Sequence, residues 1–246
     1  PPRSTPSNSS AASDVYKRQE SELGGNLRRL HYTLDGSDPQ ALLASLIEQI
    51  ETEPKVTVYK GVRISDFSGY VGNYLTTIID ASGNVEEIKH GAVILATGGV
   101  EYQPNEYGAG QSDKVYTQTE IEEKIATGNL DIQGLRSVVM IQCVGSREEN
   151  NMYCSRVCCS QAITNAISIK DRNPDTEVYI LYRDIRTYGM KELKYREARD
   201  KGVTFIRFDV ERKPEVRIDN GKLNITVFDS VLGTEILLQP DLLALS

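Results

Sequence analysis

Ser137-Val138-Val139-Met140-Ile141-Gln142-Cys143-Val144-Gly145-Ser146-Arg147 opens with a nearly continuous apolar run and ends in a cysteine and a lone glycine. A short polar loop leads on to Tyr153-Cys154-Ser155-Arg156-Val157-Cys158-Cys159. An apolar run of this length, without alternation, reads as a strand buried on both faces, as in a parallel sheet. All four cysteines of the 246-residue chain lie in this window. Chance would scatter them, so they read as a common binding site.

Downstream, residues 154–171 read as a helix, 177–182 as a strand, 190–201 as a helix and 203–207 as a strand. Strand, helix, strand, helix, strand at this spacing predicts a doubly wound α/β unit with right-handed crossovers. Asp219-Asn220-Gly221 then turns a hairpin between residues 216–218 and 223–227. The chain stops in the apolar run Leu242-Leu243-Ala244-Leu245-Ser246, read as an uncapped strand and hence as a truncated end.

Upstream, residues 119–126 read as a helix. Ala92-Val93-Ile94-Leu95-Ala96-Thr97-Gly98-Gly99 reads as a second buried parallel strand that ends in small residues suited to a close ligand. Before it, residues 56–59, 61–64, 75–79 and 85–88 predict strands, the last two joined by Ala81-Ser82-Gly83-Asn84 as an antiparallel meander. Leu42, Leu43, Leu46, Ile47 and Ile50 recur at helical steps behind Asp38-Pro39. The chain enters this part at the glycine pair of Glu22-Leu23-Gly24-Gly25-Asn26-Leu27, which reads as the middle of a domain. Residues 1–19 lack any period and carry no apolar signal region; they read as a non-native or disordered tail.

A net charge of −7 with no clustered basic face argues against a nucleic-acid partner. No run approaches the roughly 20 apolar residues of a membrane span, so membrane association would come through partners. Few, clustered cysteines do not form the spread framework of a secreted disulfide protein, so a reducing, cytoplasmic setting is expected. His31 and His90 lack metal-like spacing and read as structural.

Four thiolates at Cys143, Cys154, Cys158 and Cys159 fit [4Fe–4S], [2Fe–2S] or tetrahedral zinc. Zinc sites usually pair two short Cys-x-x-Cys knuckles, whereas adjacent cysteines on a helix splay by about 100°, which suits two irons of a cluster. Iron–sulfur is the favoured reading, with zinc and buried thiols as alternatives. Arg147, Arg156 and the helix N-terminus could offset the negative charge of such a centre, or be solvated surface charge.

The order of meander, Ala-Thr-Gly and second wound unit resembles the flavoproteins with two dinucleotide-binding domains, of which thioredoxin reductase is the compact form. That resemblance implies FAD along Gly24, Gly25, Asn26 and Leu27, at Val62, and at Ala96, Thr97 and Gly98. The family's G-x-G-x-x-G loop is not in the sequence, and Arg18 stands where the ribose-binding carboxylate might be expected. In the second unit the cysteine loop occupies the place of a nicotinamide phosphate loop. The arginine-rich Arg183–Tyr188 stretch is therefore read as packing beside the cysteines or docking a partner, in preference to binding NADP.

Cys-Val-Gly-Ser-Arg at 143–147, Tyr-Cys-Ser-Arg-Val-Cys-Cys at 153–159, Leu-Tyr-Arg-Asp-Ile-Arg-Thr-Tyr-Gly at 181–189 and Tyr-Arg-Glu-Ala-Arg at 195–199 closely resemble the heterodisulfide reductase A-subunit family. With Gly24-Gly25-Asn26-Leu27-Arg28, the likeness spans residues 20–246. It implies a partial FAD domain over 20–133, a cluster-bearing domain over 134–246, and a core truncated at both ends. It further implies an electron-bifurcating oxidoreductase component with FAD and [4Fe–4S]. Implied partners are other heterodisulfide reductase-type subunits and a donor such as a hydrogenase, formate dehydrogenase or ferredoxin, in anaerobic metabolism. No residue reads as a catalytic acid, base or nucleophile. The alternatives are a component of a quinone-interacting oxidoreductase or sulfur-oxidising complex, and a zinc-stabilised interaction module without redox function.

Overall fold

A computed structural model describes residues 22–246. The tail over 1–19, with Arg18, lies outside the described residues. The described chain forms two compact units: 22–29 with 39–100, and 30–38 with 101–246.

In the first unit Gly25–Arg29 is a single 3₁₀ turn, followed by α1 (Pro39–Thr52). Three antiparallel strands follow: β1 (Arg63–Tyr70), β2 (Asn73–Ile79) and β3 (Val85–His90). The β2–β3 turn is held by Asp80, whose carboxylate accepts from the backbone N–H groups of Ser82 and Asn84 at 2.8 Å each. His90 is structural, its ring lying between Thr76 Oγ1 at 2.7 Å and the Ala92 carbonyl at 3.1 Å.

Two sequence expectations are corrected in this unit. Residues 56–59 form no strand. The Ala92–Gly99 run forms none either and is exposed throughout, Ile94 at 80% and Leu95 at 85%. An apolar run becomes a buried parallel strand only when neighbours supply ladder partners, and no described strand pairs with it.

The second unit has β4 (Val115–Thr117), α2 (Gln118–Ala126), β5 (Ser137–Ile141) and α3 (Cys158–Arg172). Then come β6 (Glu177–Tyr182), α4 (Glu192–Asp200), β7 (Thr204–Arg207), β8 (Glu215–Asp219), β9 (Lys222–Asp229), β10 (Thr234–Leu238) and β11 (Leu242–Leu245). The parallel sheet runs β4-β11-β5-β6-β7, and an antiparallel trio runs β10-β9-β8. Alternation along the strands builds two cores. Val138, Met140, Leu242 and Ala244 face the helices with Ile121, Ile163 and Ala198. Val139, Ile141, Leu243 and Leu245 face Leu223, Ile225 and Val227 of the trio. Helices therefore cover one face of the sheet and the β8–β10 meander covers the other.

The expected divide at 133/134 moves to 100/101, because β4 pairs with β11 and α2 packs on α3. Segment 30–38 joins the unit through the fully buried Glu122. Its carboxylate accepts from the backbone N–H of His31 at 2.6 Å and of Tyr32 at 3.1 Å, and from Gln161 at 2.9 Å.

Asp241, just before β11, accepts from the N–H groups of Arg136 at 2.9 Å and Ser137 at 3.3 Å, and from Arg136 Nη2 at 2.7 Å. The Arg136 side chain, first, and these backbone donors hold its carboxyl below the ordinary 3.8. Asp241→Asn should lower stability by about 1 kcal/mol at neutral pH, since Arg136 is itself largely exposed. A depressed folded-state pKa gives stability that is present above the unfolded value and lost as pH falls through the folded one. Urea midpoints of the two proteins should therefore differ at pH 7 and converge in acid; a constant difference would remove the ionic share.

Candidate metal centre

β5 delivers its last residue, Ile141, to the carboxyl edge of the parallel sheet, and the cysteine loop begins there. Cys143 and Cys159 are buried, and Cys154 and Cys158 are half-buried; all four are free thiols. The loop is tied at its root by Val144 N–H to the Ser246 carbonyl at 2.6 Å, and further on by Arg147 N–H to the Tyr153 carbonyl at 3.2 Å. A two-way backbone bridge between Glu148 and Asn151 closes its tip.

This backbone is costly to hold. Cys143 (φ 65°), Arg147 (φ 57°) and Arg156 (φ 62°) all take left-handed conformations without being glycine, at about 1–3 kcal/mol each. Gly145 is required: at φ 61°, a Cβ there would lie 2.1 Å from the Tyr102 ring. Tyr102 therefore fills the space over the one glycine left where a nicotinamide phosphate loop would need several.

α3 starts at Cys158, later than the expected 154, because Arg156 leaves the helical region at positive φ. Cys154 is thus a loop residue, while Cys158 and Cys159 open the helix. The contact with Cys159, the Ser155 side chain and backbone N–H groups bring the Cys158 thiol down to about 6 despite burial. Cys159 moves the other way, pushed up by its neighbour Cys158 and by burial. Its Sγ also lies 3.7 Å from the Asp184 carbonyl. Cys143 is pushed up by burial against a hydrogen bond from Arg147, and it interacts electrostatically with Cys158 and Cys159.

The structure therefore brings Cys143, Cys158 and Cys159 into mutual electrostatic range. Among the described residues it gathers no three His, Cys, Asp or Glu side chains as a metal-binding group. The donor chemistry nonetheless fits a thiolate-held centre: four free thiols within one short stretch, two in a strained loop and two at the start of α3. Buried polar groups next to them in sequence lack protein partners, namely both side-chain polar atoms of Gln142 and Ser160 Oγ.

Sequence reasoning missed the role of Asp184, which lies just beyond β6. Arg147 Nη2 meets its carboxylate at 2.6 Å, while Arg147 Nη1 stands 3.8 Å from Cys143 Sγ. Its position after a parallel strand's carboxyl end was the available signal. Arg183 turns inward, 12% exposed, and donates to the Arg147 carbonyl at 2.8 Å, so the arginine-rich stretch packs on the cysteine loop. Arg156 is exposed.

In the first unit, the Asn26 side chain donates to the Gly99 carbonyl at 2.6 Å, bringing two of the expected flavin loops together. Gly24 packs on α1, where a Cβ would lie 2.7 Å from Leu43. Nothing lies within 4 Å of a Cβ built at Gly25 or Gly98, so both face open space. Val62 is half-buried ahead of β1, and Ala96 and Thr97 are exposed.

Two solved structures share this architecture at very low identity. The FAD-bound cadaverine monooxygenase DfoA of Erwinia amylovora matches with TM-score 0.50 and 11% identity over 85% of this chain and 55% of its own. The L-lysine 6-monooxygenase of Pseudomonas syringae gives TM-score 0.50 and 8% identity, covering 86% and 58%. The fold class is that of the flavin-dependent oxidoreductases with two dinucleotide-binding domains.

No protein-family model matches the chain. Curated relatives do. The A-subunit of the H₂/formate:CoB-CoM heterodisulfide, ferredoxin reductase of Methanococcus maripaludis is 39% identical over 178 residues, 65% of this chain and 26% of the relative. The A-subunit of the H₂:CoB-CoM heterodisulfide, ferredoxin reductase of Methanothermobacter marburgensis is 41% identical over 165 residues, 60% and 24%. The iron-sulfur A-subunit of the CoB–CoM heterodisulfide reductase of Methanocaldococcus jannaschii is 39% identical over 179 residues, 65% and 27%. Over the matched residues the chain is similar to heterodisulfide reductase A-subunits. It spans about a quarter of the length of these relatives.

Proposed function

We propose that the chain is an FAD- and [4Fe–4S]-containing, electron-bifurcating part of a heterodisulfide reductase-type complex. The observation that carries this reading is the four-cysteine stretch, strained in its loop, at the carboxyl edge of a parallel sheet, in a chain whose relatives are A-subunits of heterodisulfide reductases. One of those relatives is named as an iron-sulfur protein. Cys143, Cys154, Cys158 and Cys159 would hold the cluster, and Gly24, Gly25, Asn26, Leu27, Val62, Ala96, Thr97 and Gly98 the flavin. When bound, flavin handles electron pairs and the cluster single electrons.

The chain's own part is positioning. α3's N-terminus and Arg147 supply positive potential to the thiolates, and Asn26 fixes the glycine loop against Gly99. In this reading the first unit is the flavin domain and the second the cluster domain. Partners are the complex's other subunits and an electron donor such as a hydrogenase, formate dehydrogenase or ferredoxin, in the cytoplasm. No described helix is long and apolar enough to cross a membrane.

Anaerobic reconstitution of the whole chain with iron, sulfide and FAD tests this. The expected product binds roughly four irons and four sulfides per chain and gives a cluster EPR signal on reduction. A colourless, EPR-silent product with one zinc per chain would leave the zinc-stabilised module as the correct reading.

A further inference from the structure

We propose that Arg147 sets the reduction potential of the cysteine-held centre, by holding a guanidinium N–H on the Cys143 sulfur from a socket built by its neighbours. This rests on the iron–sulfur reading above. The socket is specific. Nη1 stands 3.8 Å from Cys143 Sγ while Nη2 is clamped by Asp184 at 2.6 Å. The backbone is held at both ends, its N–H on the Tyr153 carbonyl and its C=O by Arg183 Nη1 at 2.8 Å. Left-handed backbone at an arginine, φ 57°, is a strain the loop retains, and it accompanies this placement of the side chain.

Arg147 is the cation with an N–H on the sulfur, and Arg183 is a second positive charge acting on it without that contact. Arg183 is matched by Glu148 at 3.7 Å, which also meets Lys213 at 2.7 Å. Arg147 is 17% exposed, whereas its partner Asp184 is 50% exposed and so is screened by water. Hydrogen bonds and charge at the sulfurs are general levers on iron–sulfur potentials. An added electron makes the centre more negative, so a fixed N–H donor and its charge favour the reduced form and raise the potential.

The test is an anaerobic potentiometric EPR titration of the reconstituted full chain, with dithionite supplying the one electron, after iron and sulfide have been assayed in each protein. Arg147→Gln should load iron as the parent does and show about a tenfold lower equilibrium constant for reduction, or ~59 mV for one electron. Arg147→Lys keeps the charge but cannot span Cys143 and Asp184, so its potential should fall between the two. It decides the matter if Arg147→Gln loads poorly. Arg156→Gln removes an equal but exposed charge and should shift the constant by less than about twofold. A loaded Arg147→Gln or Arg147→Lys with the parent's potential overturns the inference, as does an equal shift from Arg156→Gln. An unmodified chain that takes up no iron overturns the iron–sulfur reading itself, and this inference with it.

Discussion

Replacing any one of Cys143, Cys154, Cys158 or Cys159 with serine is expected to cut the iron retained after anaerobic reconstitution and desalting by at least about tenfold. Disturbing even an outer partner of a ligand typically costs roughly 10–100-fold in metal affinity, and losing a ligand removes more. Routes to this loss differ among the four. Cys158 is the thiol brought down to about 6, so its replacement removes the donor that ionises most readily. Cys143 and Cys159 are buried, and a serine hydroxyl at either would be a hard, uncharged donor in a site shaped for sulfur. Cys154 decides the ligand count, because it lies in the loop ahead of α3 while Cys158 and Cys159 open the helix. Full iron in Cys154→Ser would reduce the ligand set to three; full iron in Cys158→Ser would sink the site. Circular dichroism of the metal-free variants should match the parent, since a serine replaces each sulfur with a side chain of similar shape.

The second unit was legible where its signals are local. Residues 137–141 and 177–182 carry the nearly continuous apolar runs of parallel strands, and Asn220-Gly221 take the positive φ values, 50° and 73°, of the hairpin they announce. Its second covering layer was less legible. β10 alternates weakly, and β4 is three residues long, so only pairing with β11 makes it a strand. The first unit shows the converse: Ala92–Gly99 has a strand's composition but no described ladder partner, and composition alone does not supply one. At the site the four cysteines stand out by clustering, because ligand type is written in residue identity. Their socket does not, because Arg147 and Asp184 meet across 37 residues and no periodicity encodes such a pair. Nor does a sequence announce that an arginine will sit at positive φ, which is why residue pattern alone starts α3 too early.

Leu243→Ala is expected to destabilise the second unit by about 3 kcal/mol, within the roughly 2–5 kcal/mol typical of a buried leucine truncated to alanine. Leu243 is fully buried on an interior strand of the parallel sheet, β11 lying between β4 and β5. It points to the face covered by the β8–β10 trio, among Val139, Ile141 and Ile225. Strands flank it on both sides and the meander covers it, so the site has little freedom to collapse and the cavity term persists. The residue that follows this strand reaches the cysteine loop: Ser246 donates to the Ile141 carbonyl at 3.0 Å and accepts from Val144 N–H at 2.6 Å. Loosening β11 should therefore loosen the root of the cysteine loop, and the reconstituted variant should release iron faster to a chelator than the parent. Val231→Ala, at a side chain 90% exposed, is the matched control and should stay within about 0.5 kcal/mol. Urea unfolding, with the midpoint lowered and the slope unchanged, measures the first effect. A loss below about 1 kcal/mol would mean that β11 is not buried between β4 and β5 in solution. Unchanged iron release in a destabilised variant would uncouple the strand from the cysteine loop.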